Sequence, residues 1–161
     1  MADPGTVYAE YREMIYGYLY RMCRNQAQAE ELTQETFYQA MRTWDRFRGD
    51  ASVSTWLCAI AKNLYYTSLR KPVTVPIDHV PEPQGPDIAE ALVEGDRQMA
   101  AQRMLHCLPE PYREVLTLRT FCDLSHGQIG ELFGKSDSWA RVTYYRARQL
   151  LMQAMKEADK E

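Results

Sequence analysis

Five prolines crowd into residues 72–86, Pro72, Pro76, Pro81, Pro83 and Pro86, and they set the limits on what this 161-residue chain can fold into. Each proline locks φ and removes a backbone donor, so a helix cannot pass through the stretch and the path is extended and fairly stiff. The chain is therefore expected to form two small domains, residues 1–71 and 88–161, joined by a proline-rich linker at 72–87. Domains of that size bury only about 60% of the surface their unfolded chains expose. Marginal stability and reliance on a partner are the expected consequences.

Both flanks read as helical, which makes the fold class all-α, with no convincing strand and no repeat. Before the linker, Tyr8, Tyr11, Ile15, Tyr18, Leu19 and Met22 recur at three- and four-residue spacing. Asn25 to Gln28 has the form of a capping box and opens a second helix, whose Ala29, Thr33, Phe37, Ala40 and Trp44 should face the core. A third helix follows the Gly49-Asp50 break, with Val53, Trp56, Leu57, Ile60, Ala61 and Leu64 as its apolar stripe. After the linker one helix is expected from Ile88 to Cys107, and Pro109 and Pro111 stop it and start the next, through Val115, Leu116, Leu118 and Phe121. Ser125 to Gln128 is another capping box, leading Ile129, Leu132 and Phe133 inward until Gly134 supplies a left-handed cap. Ser136 then caps a last helix running to about Met155.

The formal net charge of −3 argues at first sight against a nucleic-acid binder, but the charge is segregated. Residues 42–71 carry six positive side chains against two negative, and residues 134–149 carry four against one. The intervening residues 72–110 hold seven acids and two arginines, which hide the basic segments in the total. Screening over about 10 Å means that DNA responds to the patches more than to the sum. No apolar run approaches the roughly 20 residues that span a bilayer, and residues 1–6 lack the order of a signal peptide, so a cytoplasmic protein without membrane insertion is expected. The four cysteines, Cys23, Cys58, Cys107 and Cys122, are too scattered for a zinc site and are read as buried thiols. Three scattered histidines and the lack of a phosphate-cradling glycine loop or a nucleophile constellation argue against an enzyme.

Three surfaces remain to be explained. Helices at 125–133 and 136–155 have helix-turn-helix spacing, and on the second of them Ala140, Tyr144, Ala147 and Leu151 fall in one buried arc. Val142, Tyr145, Arg146 and Gln149 face away, with Arg141 and Arg148 on the flank. A solvated amphipathic face would look similar, but an apolar side chain and an aromatic among arginines suit base-edge and phosphate contact better than water. On the Asn25 helix, Glu31, Gln34, Glu35, Tyr38 and Arg42 form a mostly acidic outward strip, either a plain solvent face or a dock for a basic protein with Tyr38 as anchor. Around the third helix, Phe47, Arg48, Trp56, Lys62, Asn63, Tyr65 and Tyr66 mix aromatic, basic and amide groups, as single-stranded nucleic acid requires. Trp56 and one of the tyrosines equally fit a core position.

Ala29-Glu30-Glu31-Leu32-Thr33-Gln34-Glu35-Thr36-Phe37 resembles the core-polymerase-binding signature of the extracytoplasmic-function (ECF) group of sigma-70-type factors. Thr55-Trp56-Leu57 with Ile60-Ala61-Lys62-Asn63 resembles the family's promoter-melting and minus-10 segment. Leu108-Pro109, Tyr112-Arg113-Glu114-Val115-Leu116, the Ile129 helix and Arg146-Ala147-Arg148 ending at Leu151 resemble its minus-35-binding domain. The resemblance implies a transcription initiation factor without catalytic site, metal or cofactor. Its partners would be core RNA polymerase, promoter DNA and an anti-sigma factor. Glu31, Gln34, Glu35 and Tyr38 would meet the polymerase. Phe47, Arg48, Trp56, Lys62, Asn63 and Tyr66, with the loop at 47–54, would hold the melted minus-10 strand. Arg141, Val142, Thr143, Tyr145, Arg146 and Arg148 would bind the minus-35 duplex, and the acidic linker would run toward the polymerase active centre. Trp139, Val142, Thr143, His126 and Gly127 depart from the residue types usual at these places, so the promoter sequence does not transfer from a relative.

The alternative is a stand-alone helix-turn-helix regulator binding an operator as a dimer. It would need a dimerisation or effector domain where residues 1–71 show an acidic strip and an aromatic basic patch.

Overall fold

The computed structural model describes residues 3–47, 49, 52–70 and 96–160, and every regular element among them is helical. The chain divides into two compact units, Met1–Gln84 and Gly85–Glu161. The expected linker and the opening turns of the helix expected from Ile88 lie outside the described residues.

In the first unit, α1 (Pro4–Cys23) starts on a proline, whose missing donor costs nothing in a first turn. It ends where Arg24 turns left-handed at φ 52 and donates its N–H to the Tyr20 carbonyl at 2.7 Å. In α2 (Gln26–Arg42), Asn25 caps as expected, its Oδ1 accepting from the Gln28 amide at 2.9 Å. α3 (Val53–Arg70) packs on both and closes a three-helix core that buries Ile15, Tyr18 and Leu19 of α1, Ala29, Phe37 and Ala40 of α2, and Leu57, Cys58 and Ala61 of α3. Buried Thr33 and Thr36 satisfy their hydroxyls by donating to the carbonyls of Ala29 and Leu32.

Two expectations for this unit change. The buried face of α3 overlaps the expected stripe only at Leu57 and Ala61: Thr55, Cys58 and Tyr65 complete it, while Val53, Trp56, Ile60 and Leu64 are only partly covered. Trp44 does not extend the core face of α2, because the helix ends at Thr43 and Trp44 opens a short 3₁₀ turn, Trp44–Arg46.

Tyr65 is the core tyrosine, and its hydroxyl donates to the Met22 carbonyl at 3.1 Å. Carbonyls in the last turn of a helix have no partner within it, so this bond ties α3 to an otherwise open end of α1. Tyr65→Phe should therefore lower stability by about 1 kcal/mol, the usual net worth of such a bond. A shift of the urea midpoint without a change of slope is the expected reading, and an unchanged midpoint would count against the tie.

In the second unit, α4 (Asp96–Cys107), α5 (Tyr112–Thr120) and α7 (Asp137–Asp159) surround Leu105, Leu108, Leu116 and Ala147, with Tyr112, Tyr144 and Leu151 packed on the rim. The short α6 (His126–Phe133) lies against α7 and buries Ile129. Arg119 on α5 donates to the Leu124 carbonyl at 2.9 Å and holds the segment that leads into α6. Cysteine burial is only partly as expected: Cys58 and Cys122 are buried, Cys23 is half-buried and Cys107 is exposed.

Candidate nucleic-acid and protein interfaces

The helix-turn-helix is assembled by short-range rules. Ser125 Oγ accepts from the Gln128 amide at 3.1 Å while Gln128 Oε1 accepts from the Ser125 amide at 2.8 Å, a complete capping box. At the other end of α6, Gly134 takes φ 66. The amide of Lys135 donates to the Gly130 carbonyl at 2.7 Å and that of Gly134 to the Glu131 carbonyl at 3.2 Å, the bonding pattern of a Schellman cap. Ser136 Oγ then accepts from the Trp139 amide at 3.0 Å and starts α7. The Trp139 ring packs on Phe133, with centroids 5.1 Å apart, so this large side chain braces the turn from outside.

Gly130, which carries no obvious sequence signal, makes the turn possible. A Cβ there would lie 2.6 Å from the Ser136 carbonyl oxygen and 2.9 Å from that of Lys135. The only hint in the sequence is a glycine inside a helical pattern, where it costs about 1 kcal/mol against alanine.

The outward face of α7 carries Arg141, Val142, Tyr145, Arg146 and Arg148, all exposed, with Val142 at 47% and Tyr145 at 52%. Arg141 lies 3.4 Å from Asp137, an exposed pair too weak to withhold the arginine from a ligand. Thr143 corrects the expectation. It is 6% exposed and shares the packed side of α7 with Ala140 and Ala147, so it leaves the group of outward-facing residues. Its position two residues from Tyr145 turns it some 200° around a 3.6-residue helix.

In the first unit, the 3₁₀ turn and the start of α3 bring three rings together. Phe47 and Trp56 have centroids 4.8 Å apart, and Trp44 lies 6.0 Å from Phe47 and 5.7 Å from Trp56. Each is partly exposed, so the cluster is an aromatic surface and not a sealed core. Lys62 stands over the Tyr66 ring at 4.7 Å, and Asn63 beside it is exposed. Arg48 lies outside the described residues. Tyr65 leaves this patch for the core, and Trp44 joins it.

On α2, Glu31, Gln34, Glu35 and Tyr38 are exposed, Tyr38 at 57%. The Gln39 amide donates to Glu35 at 3.3 Å, and Arg42 lies over the Tyr38 ring at 5.6 Å. Met41, also exposed, extends the strip with an apolar side chain that periodicity alone did not single out, although it sits one helical turn from Tyr38.

Family models match both units. Sigma-70 region 2 matches residues 7–72 and Sigma-70, region 4 matches residues 98–151, which together cover most of the chain. RNA polymerase sigma factor YlaC of Bacillus subtilis (strain 168) is 28% identical over 163 residues, covering 96% of this chain and 93% of the relative. The ECF RNA polymerase sigma factor SigW of the same organism is 28% identical over 162 residues, covering 91% and 86%. Among solved structures, CnrH in complex with the cytosolic domain of CnrY gives a TM-score of 0.73 at 20% identity, over 97% of this chain and 88% of that one. The sigma factor RpoE in complex with the anti-sigma factor NepR from Bartonella quintana gives 0.71 at 19%, over 92% and 94%. Two sigma regions in this order, relatives matched along nearly their whole length and an all-helical fold place the chain in the extracytoplasmic-function group of the sigma-70 family.

Proposed function

We propose that this sigma factor carries core RNA polymerase to promoters by a division of labour among its three surfaces, with all polymerisation chemistry left to the polymerase in the cytoplasm. The α2 strip of Glu31, Gln34, Glu35 and Tyr38 docks on the polymerase. Phe47, Trp56, Lys62, Asn63 and Tyr66, with Arg48, hold the melted minus-10 strand. Arg141, Val142, Tyr145 and Arg146 read the minus-35 element while Arg148 tracks phosphate. An anti-sigma factor, as in the complex of RpoE with NepR, holds the protein until it is needed.

One observation carries the reading: α7 begins at a tight turn and presents Arg141, Val142, Tyr145 and Arg146 to solvent while its opposite side is packed. Exposed arginines offer bidentate contact to guanine, and Val142 offers apolar contact to a thymine methyl. A stand-alone operator binder would not account for the aromatic patch and acidic strip in the first unit.

Transcription by the reconstituted holoenzyme from a promoter library randomised in both elements tests the assignment. Arg146→Ala should change the preference at one minus-35 base pair by about 1–3 kcal/mol, whereas Arg148→Ala should weaken all sequences alike. Asn63→Ala should slow opening of the minus-10 region and leave minus-35 preference as it was. An unchanged minus-35 preference in Arg146→Ala, or an altered one in Asn63→Ala, would refute the division.

A further inference from the structure

His126 opens α6 and faces the first turns of α7. Its ring centroid lies 5.5 Å from that of Tyr144, which packs on the core, and 6.4 Å from that of Tyr145, which stands in the exposed face. The two tyrosine rings meet edge to face at 5.4 Å. The imidazole thus joins the packed and the exposed sides of α7 through one cluster of three rings. Its Nδ1 is buried with no hydrogen-bond partner. The charged groups that act on it are Arg119 on α5 and Arg141 and Asp137 on α7. Taken with the reading surface proposed above, on which this step rests, we propose that His126 is a proton-linked positioning residue for minus-35 recognition: its ring sets the Tyr145 side chain, and seating of the duplex is accompanied by proton uptake at the imidazole.

The free protein disfavours the charged ring for stated reasons. Burial comes first, then repulsion from Arg119 and Arg141, with Asp137 opposing them, and together they hold the imidazole below its usual value. DNA reverses the electrostatic part. A duplex brings about one phosphate charge per 1.7 Å, and phosphates seated on Arg141 and Arg146 neutralise one repelling neighbour while adding attraction within a Debye length. Deeper burial under the duplex works the other way, but several phosphates act on the ring at once.

The bound state therefore holds more proton than the free state, so affinity is greatest below the free-state value and falls as pH rises through the bound-state value. A single proton limits the change to tenfold per pH unit.

The test uses the full chain assembled with core polymerase and a fluorescent duplex carrying only the minus-35 element selected from the library, against a scrambled duplex, between pH 5.5 and 8. Wild-type affinity for the selected duplex should fall about three- to tenfold from pH 6 to pH 8. His126→Phe keeps a ring against both tyrosines, so it should retain the preference for the selected duplex and lose the pH dependence. His126→Ala should lose both. A flat wild-type profile, or a His126→Phe profile like that of the wild type, overturns the proton linkage. Full preference in His126→Ala overturns the positioning role. Those failures leave the reading surface standing, whereas Arg141→Ala and Arg146→Ala variants that bind and discriminate like the wild type at every pH would overturn the surface and this inference with it.

Discussion

Gly130→Ala is expected to destabilise the helix-turn-helix by about 1–2 kcal/mol, and Gly130→Leu to prevent it from forming. Two effects oppose each other in the alanine variant. A helix interior gains roughly 1 kcal/mol when glycine becomes alanine. Against this stands a Cβ 2.6 Å from the Ser136 carbonyl oxygen and 2.9 Å from both the Lys135 carbonyl oxygen and the Ser136 carbonyl carbon. All three atoms are backbone, so no side chain can swing aside. Relief requires α7 to move away from α6, which would break the Lys135 bond to Gly130, the cap at Ser136 and the contact of Trp139 with Phe133. Overpacking that forces backbone to shift costs about 1–3 kcal/mol, and three backbone contacts at once put this site toward the upper end, so the steric cost outweighs the propensity gain. Hydrogen exchange should show reduced protection in α6 and α7 with α1 to α3 unaffected. Wild-type protection in α6 would mean that the turn is looser than its geometry indicates.

The helix ends are legible in the sequence because the interactions that make them span few residues. Asn25, Ser125, Ser136 and Gly134 cap where expected, since each bond joins groups at most five residues apart. Rotation of a helix against its neighbours is a different matter. The apolar stripe of Val53, Trp56, Leu57, Ile60, Ala61 and Leu64 is buried at Leu57 and Ala61, but α3 turns the adjoining Thr55, Cys58 and Tyr65 into the core in place of the other four. The Tyr65 bond to Met22, 43 residues away in the chain, fits that orientation and has no local trace. Continuing the α2 spiral past Arg42 puts Trp44 in the core, but Thr43 ends that helix, its hydroxyl and amide both donating to the Gln39 carbonyl. The family resemblance puts Thr143 on the minus-35 surface, yet it lies between Ala140 and Ala147 on the packed side. The candidate surfaces can be picked out in the sequence only as residue types. Which arginine, tyrosine or threonine faces outward depends on the packing.

Reversing the charge of Glu31 and Glu35 together should weaken binding to core polymerase at least about 100-fold without unfolding the protein. Both side chains are exposed on α2. Lysine and glutamate have nearly equal helix propensity, and exposed substitutions of this sort move stability by no more than about 0.5 kcal/mol. Glu35→Lys also removes the acceptor of the Gln39 amide, a solvent-exposed bond of 3.3 Å that water replaces at little cost. Folding is therefore nearly indifferent to the change, while docking is not. Against a basic partner each reversal replaces an attraction with a repulsion, and like charges brought together at an interface cost several kcal/mol. The loss should shrink as salt rises, because the strip is solvent-facing and screened. Tyr38→Ala should weaken docking as well, by truncating an aromatic anchor that is 57% exposed in the free chain, but with little dependence on salt. Competition against labelled wild-type protein for core polymerase measures both variants, with circular dichroism melts as the folding control. Charge repulsion predicts a salt-sensitive loss for Glu31→Lys with Glu35→Lys and a salt-insensitive one for Tyr38→Ala. A folded double variant that competes within threefold of wild type at low salt would show that the strip is a solvated helix face and that docking lies elsewhere on the first unit.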